Sequence, residues 1–181
     1  MDALVTEAGA LSAAPWLPLA APLQSRICWL VRCWWAFGGG EGGEEDERSC
    51  AASYAMLCQM LHGGADLAVR LQASVAIGGV LGSLDGDNLR LFAPAAPSIC
   101  AGLASSLAAS ETDAGRLWLL RLLGRLARKL PGLTQQPEAV QALPPILGAL
   151  WHRAQQERQD LLVRELRRVA HAGWSWTEAV S

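Results

Sequence analysis

Cysteine and histidine are the residue types in this sequence with the greatest potential for chemistry. Cys28 and Cys33 are five residues apart, and Cys58 and His62 are four apart, which places the second pair on one helix face. A structural zinc site takes about four converging ligands, often from close Cys-x-x-Cys pairs, and the sequence has no such pair. Buried thiols on apolar helices explain these residues better. We therefore predict no metal site and no cofactor.

Motifs for nucleophilic catalysis and for phosphate binding are also missing. An activated cysteine–histidine pair needs a third, orienting group, and none of His62, His152 and His171 lies in a recognisable catalytic setting. The glycine-rich run 38–43 is followed by Glu44, Glu45 and Asp46, which would repel phosphate, and it lacks the Gly-Lys-Ser/Thr ending. The sequence therefore predicts a protein that is not an enzyme.

Two rows of basic side chains have a spacing that places each row on one side of a helix. The first row is Arg121, Arg125 and Arg128, and the second is Arg164, Arg167, Arg168 and His171. Stacked at a period of 47 residues, the two helices would be neighbours, and the rows would form one positive surface suited to an acidic partner segment, with an affinity that falls as salt rises. The alternative is an ordinary solvated face, with Arg164 held in an ion pair between repeats.

Composition and charge restrict the class of protein. The 181 residues are 51% hydrophobic and 18% charged, which is typical of a folded chain. Residues 1–110 carry 5 basic and 10 acidic side chains, whereas residues 111–181 carry 10 and 7. Neither part is basic enough to indicate nucleic-acid binding. The odd number of cysteines, together with Asp2 and Glu7 where a secretion signal needs positive charge, indicates a reduced intracellular protein.

An uncharged stretch at residues 91–110 is long enough to be weighed as a membrane span. It contains two prolines and four serines, and Ile99, Leu103 and Leu107 form a single apolar stripe. This pattern fits a soluble helix with one buried face, so we predict no membrane interaction.

Glycine and proline residues divide the chain into seven predicted helices, and strand signals are nearly absent. The predicted helices are 23–37, 48–62, 66–84, 94–109, 111–130, 137–155 and 160–171. We expect Asp66 and Asp160 to cap the third and seventh helices, Pro144 and Pro145 to divide the sixth, and the acidic run 41–47 to form a solvated loop. Residues 1–21 are expected to be flexible or partly ordered, and 173–181 to form a tail that packs by its tryptophans or frays.

A period of 47 residues connects three of these helix starts. Asp66 and Arg70 recur as Asp160 and Arg164 in nearly the same pentapeptide, and Asp113 with Arg116 lies midway. Helix pairs repeating at this period are typical of HEAT repeats. The third helix is apolar on two faces, as an inner helix between neighbours must be. We predict an all-α fold, an armadillo-like α-solenoid of antiparallel HEAT helix pairs, with about three and a half repeats in a right-handed superhelix over residues 22–172.

Three segments in order resemble the importin-β (karyopherin-β) superfamily. Residues 26–35, RICWLVRCWW, resemble its R-R-x-x-W-L-I-G-Q-W helix. Residues 66–71, DLAVRL, resemble its D-L-V-V-R-L helix, and residues 143–151, LPPILGALW, resemble its L-P-x-L-W motif. The resemblance covers about residues 16–172 and maps to a central stretch of such receptors. It implies a fragment or short form without the amino-terminal repeats that hold GTP-bound Ran.

The resemblance implies a nuclear transport receptor segment that moves between nucleus and cytoplasm through the nuclear pore. Its partners would be cargo proteins, Phe-Gly nucleoporins and the Ran GTPase, all bound without covalent chemistry. The acidic run 41–47 would then attract basic cargo, or remain simply solvated. An exposed tryptophan among those on the helices would offer a pocket for Phe-Gly repeats. The alternative function is a HEAT scaffold or adaptor unrelated to transport.

Overall fold

The computed structural model describes residues 20–36, 44–62, 66–84 and 86–174, and every regular element within them is helical. The α-helices are α1 (Ala20–Ala36), α2 (Glu44–His62), α3 (Leu67–Ser83), α4 (Gly86–Phe92), α5 (Ala96–Ala109), α6 (Asp113–Lys129), α7 (Pro137–Gln156) and α8 (Asp160–His171). Short 3-10 helices, Ala93–Ala95 and Pro131–Gln135, precede α5 and α7. The all-α prediction is confirmed. The predicted segment 1–21 lies outside the described residues except for its last two, as does the tail beyond Trp174.

Two predicted connections contain helix. The acidic run expected to be a loop supplies the first turn of α2, which begins at Glu44, because carboxylates are favourable at the positive end of a helix. The expected connection before the fourth predicted helix contains α4. Its last residue, Phe92, is fully buried and meets the Tyr54 ring edge-on at 5.1 Å between ring centroids. Burial of that aromatic ring explains why helix forms there despite the flanking glycine and prolines.

The expected division of the sixth predicted helix is wrong, since α7 continues through Pro144 and Pro145. Each proline removes one backbone donor. Leu143 and Leu147, on either side of the pair, are both fully buried, and this burial holds the two halves of the helix to the same core.

The expected cap at Asp160 is also wrong, because Asp160 is the first helical residue of α8 and Gln159 precedes it without a side-chain capping bond. Asp66 does cap α3, and its Oδ1 accepts from the Ala68 amide at 2.8 Å.

The chain divides into two compact units, Met1–Ile99 and Cys100–Ser181, with the boundary inside α5. In the first unit α1 and α2 both pack against α3, and α2 also packs against α4. Trp35 stacks on Tyr54 at 5.5 Å between ring centroids, and its indole donates to the Ser53 hydroxyl at 3.4 Å. Gly79 of α3 lies against Arg32 of α1, where an added Cβ would be 3.0 Å from Cγ of the arginine. This glycine therefore lets α1 approach α3 closely.

The two predicted apolar faces of α3 are buried to different extents. One face is fully buried and consists of Val69, Ala73, Ala76 and Val80. On the other face Leu81 is buried, whereas Leu67, Leu71 and Val75 are half-buried.

In the second unit α8 packs against both α6 and α7. Arg121 of α6 pairs with Glu165 of α8, and further along an added Cβ on Gly124 would lie 3.9 Å from Cγ2 of Val169. Both residue numbers rise together, so α6 and α8 run parallel. The predicted neighbour relation between the two arginine-bearing helices is confirmed.

Helices α7 and α8 end in the same type of turn. In α7 the Gln159 amide donates to the Ala154 carbonyl and the Arg158 amide to the Gln155 carbonyl, with Arg158 at φ +53°. In α8 the corresponding left-handed residue is Gly173, at φ +105°. This is the Schellman arrangement, in which the left-handed residue is usually glycine. It returns the chain to Trp174, which is buried and donates its indole hydrogen to the Leu123 carbonyl at 3.3 Å.

One helical stretch, Asn88–Ala109, is long and apolar enough to cross a membrane by length and composition. Half of its apolar segment is buried within the fold. The stripe of Ile99, Leu103 and Leu107 is fully buried, as the sequence predicted. A buried core helix passes the same length and composition test, so the stretch is weak evidence for a membrane span.

Candidate protein-binding surface

The first arginine row belongs to α6, a strongly amphipathic helix. Thr112 caps its start, because the Thr112 hydroxyl accepts from the Gly115 amide at 3.2 Å. Leucines fill the inner side, and the arginines occupy the opposite side at i, i+4 and i+7. Arg121 and Arg128 are exposed and Arg125 is half-buried. The helix therefore presents a row of guanidinium groups to solvent.

The second row on α8 is organised around a buried carboxylate. The Glu165 side chain is only 8% exposed, and its Oε2 accepts from Arg168 Nη1 at 3.0 Å and lies 3.6 Å from Arg121 Nε. One glutamate thus joins the two helices and holds one arginine from each. Charge-assisted bonds of this kind fix the direction of the guanidinium groups.

The structure divides the predicted arginine set. Arg167 turns away from α6 and lies over the Trp151 ring of α7, at 5.8 Å from the ring centroid. Arg164 is exposed and directly precedes the buried Glu165 in sequence. We define the arginine face as Arg121, Arg125, Arg128, Arg164 and Arg168.

Within the part of the chain that the structure describes, Arg125, Arg128 and Arg164 have no carboxylate partner. The alternative in which Arg164 is held in an ion pair between repeats is therefore not what the structure shows. The arginine face has five cations, and among the described residues Glu165 is the carboxylate that contacts two of them.

The residues of the predicted repeat signature have different surroundings at the three helix starts. Arg116 is buried, and its Nη1 donates to Asp113 at 3.2 Å. Asp113 also accepts from the Gln159 amide group at 3.3 Å, which joins the start of α6 to the turn before α8. Arg70 is half-buried, its amide donates to the Asp66 carbonyl at 3.0 Å, and Arg164 is exposed. The three Asp/Arg pairs of the predicted signature therefore do not make the same contact.

Two residues beside the candidate surface were not predicted from the sequence. Glu165 lies three residues before Arg168 and 44 after Arg121. Its i, i+3 spacing from Arg168 was the sequence signal that could have predicted an ion pair within the basic row. Leu161 is 66% exposed, the largest value among the exposed large hydrophobic residues of the described chain. It precedes Glu165 by four residues and Arg168 by seven, and therefore borders the arginine face.

The cysteines are free thiols in environments that disfavour ionisation. Burial raises the pKa of both Cys28 and Cys100 to about 12, and it also raises the pKa of Cys58. The Cys58 thiol donates to the Ala95 carbonyl at 3.9 Å, and His62 Nε2 lies 2.6 Å from the Ser98 carbonyl oxygen. These side chains therefore have separate partners. Among the described residues no group of three or more His, Cys, Asp or Glu could hold a metal ion.

A second exposed feature lies on α1. Leu23, Trp29 and Leu30 are exposed large hydrophobic residues within two turns, and we call them the α1 apolar patch. The guanidinium of Arg26 lies over the Trp29 ring at 4.3 Å from the centroid. Of the other tryptophans expected on helices, Trp35 and Trp151 are buried, whereas Trp34 and Trp118 are half-buried. Trp29 is thus the exposed indole among the five.

Comparison with family models, with curated proteins and with solved structures finds no significant match to the chain.

Proposed function

We propose that this chain is a protein-binding module built from HEAT-type helical hairpins, acting through non-covalent contacts. The observation that supports the proposal is that residues in contact across neighbouring helices are separated by nearly the same number of sequence positions each time. Arg32 and Gly79 are 47 positions apart, Gln159 and its partner Asp113 are 46 apart, and Gly124 and Val169 are 45 apart. These offsets agree with the 47-residue period of the helix starts. Equivalent helices of successive repeats pack side by side in this way in a repeat protein.

Repeat packing of this kind suits binding better than catalysis. Neighbouring parallel helices present their outward residues as continuous rows, and α6 with α8 presents the arginine face. Burial keeps Cys28 and Cys100 protonated at neutral pH, so neither supplies an activated nucleophile. The features exposed on the described helices are charged and apolar surfaces of the kind that contact other proteins.

We further propose that the module acts as a segment of an importin-β-type nuclear transport receptor. The support for this role is the ordered resemblance of residues 26–35, 66–71 and 143–151 to that family. The α1 apolar patch supplies a second support, because Phe-Gly nucleoporin repeats bind through phenylalanine side chains and need exposed apolar contacts. A HEAT scaffold unrelated to transport is the competing function, favoured by the same repeat packing.

A pull-down with immobilised Phe-Gly nucleoporin repeats tests the transport role. We expect the full chain to be retained, and Trp29→Ala to reduce retention because it removes the exposed indole of the α1 apolar patch. Val140→Ala is the matched control, since it also removes an exposed apolar side chain but lies in the other unit. Equal retention of all three proteins would refute the assignment of the patch.

A parallel pull-down with Ran loaded with GTP completes the test. Because the resemblance maps to the centre of such receptors, weak or absent Ran binding alone agrees with the proposal. Failure to bind both Ran and Phe-Gly repeats would overturn the transport role and leave the scaffold function.

A further inference from the structure

The arginine face has an apolar border at the end where α6 and α8 begin. Leu161 of α8 is exposed, and Leu117, at the corresponding position of α6, is half-buried. Each leucine is four residues before a residue of the Arg121–Glu165 ion pair, so both lie towards the same end of the two parallel helices. That end also carries the exposed Asp113 and Asp160, and the arginines follow further along the helix axis.

We propose that this surface binds a short acidic protein segment that carries an apolar anchor residue. The proposal rests on the protein-binding function proposed above and identifies the chemistry of one partner. The apolar side chain would cover Leu161 and Leu117. Carboxylates would then pair with the three arginines that have no carboxylate partner among the described residues, Arg125, Arg128 and Arg164.

The spacing defines the length of the segment. Leu161 and Arg168 are seven residues apart on α8, which corresponds to about 10 Å along a helix. An extended peptide covers that distance in about three residues, since each residue spans roughly 3.3–3.6 Å. The acidic residues should therefore follow or precede the anchor within three to five positions. A longer acidic run without an apolar residue would use only the charged part of the surface.

Glu165 prepares the surface for this partner. Its buried carboxylate accepts a hydrogen bond from Arg168 and forms an ion pair with Arg121, and it thereby holds α6 and α8 beside each other before a ligand arrives. The same carboxylate neutralises part of the positive charge, so the attraction is concentrated on Arg125, Arg128 and Arg164.

A protein segment fits this surface better than a nucleic acid does. Single-stranded nucleic acid is typically held by several aromatic side chains on which its bases stack, whereas α6 and α8 together carry one Trp, Tyr or Phe, the half-buried Trp118. The Trp151 ring is buried, with Arg167 above it. The positive residues also cover only a few turns of two helices, which is a small footprint for a phosphate backbone.

Fluorescence anisotropy with a labelled peptide tests the proposal. The probe is a fluorescein-labelled decapeptide with one leucine and five glutamates within the positions that follow it. We expect binding by the full chain at 50 mM salt, weakened severalfold at 200 mM. The triple variant Arg125→Ala, Arg128→Ala, Arg164→Ala should weaken binding about tenfold or more, as three lost charge pairs require. A Leu161→Ser variant should weaken it about fivefold.

Matched controls separate the surface from general charge and folding. Arg153→Ala removes an exposed arginine of α7 that pairs with its own Glu157, and Val140→Ser removes an exposed apolar residue of the same helix. Both should bind as the unmodified protein does. Circular dichroism melting confirms that each variant is folded before its affinity is compared.

Several results would overturn the proposal: no peptide binding at low salt, equal loss in Arg153→Ala and in the triple variant, or no effect of Leu161→Ser. Tighter binding of a ten-nucleotide RNA than of the peptide, lost in the triple variant, would assign the surface to nucleic acid instead. The Phe-Gly pull-down depends on α1 in the other unit, so its outcome separates failure of this site from failure of the transport role.

Discussion

Replacing Gly124 by alanine is a direct test of how α6 and α8 pack. The added Cβ would lie 3.5 Å from Arg128 Nη1 and 3.9 Å from Val169 Cγ2, which are ordinary van der Waals distances. Alanine is favoured over glycine inside a helix by about 1 kcal/mol. A newly buried methyl group contributes about 0.8 kcal/mol more. We expect Gly124→Ala to raise the free energy of unfolding by roughly 1–2 kcal/mol.

Gly115→Ala is the matched comparison within the same helix. Its Cβ would lie 2.6 Å from Ser110 Oγ and 3.0 Å from Thr112 Oγ1. Ser110 is buried and the Thr112 hydroxyl caps α6, so neither can move without loss. The gain in helix propensity is therefore outweighed, and we expect a loss of about 1–2 kcal/mol.

Urea denaturation followed by circular dichroism at 222 nm and by tryptophan fluorescence measures both effects. For a chain of this length, each kcal/mol corresponds to a change in Tm of about 2–4 °C. If Gly124→Ala instead lowered stability by 1 kcal/mol or more, α6 and α8 would have to lie closer than described. The parallel packing that supports the repeat proposal would then be wrong in its geometry.

Three further predictions concern backbone, hydroxyl and thiol groups. Arg158→Gly should stabilise the protein by about 1 kcal/mol, because glycine adopts the left-handed conformation without steric cost. Gly173→Ala should destabilise it for the same reason, and thermal melting compares the two variants. Tyr54→Phe should leave stability unchanged or raise it by about 1 kcal/mol in urea denaturation, because the buried hydroxyl has no partner among the described residues, and a clear loss would reveal a hidden bond. Burial raises the pKa of Cys28 and Cys100 from 9.0 to about 12, so their contribution to stability is fully present below pH 9 and is lost between pH 9 and 12. Replacing both by alanine should therefore flatten the alkaline side of a plot of unfolding free energy against pH, measured by urea denaturation.

The all-α fold class and the approximate helix positions could be predicted because both depend on local signals. These signals are the period of the apolar residues and the glycine and proline residues between helices. The stripe of Ile99, Leu103 and Leu107 shows this, since its spacing predicted burial and all three are buried. The neighbour relation of α6 and α8 followed from the 47-residue period, which is a property of sequence order alone.

Features that depend on tertiary contacts could not be predicted. Helix α4 forms because Phe92 packs on Tyr54, and no local signal announces that contact. Gln159 turns its amide towards Asp113, which leaves Asp160 inside α8 instead of at its cap. In the candidate site, the spacing of the basic residues identified the arginines. It did not show that Arg167 lies over the Trp151 ring, apart from the other arginines, because that contact joins two helices.

The connection between α7 and α8 has a consequence for the order of folding. Only three residues separate Gln156 from Asp160, and the turn closes through bonds between residues at most five apart. Such a short loop costs little closure entropy, so this hairpin can form before contacts distant in sequence. Alignment of α6 beside α8 must bring together groups about 45 residues apart and therefore comes later. A kinetic study should find the last hairpin structured in the transition state, while the Arg121–Glu165 bridge forms near the end of the reaction.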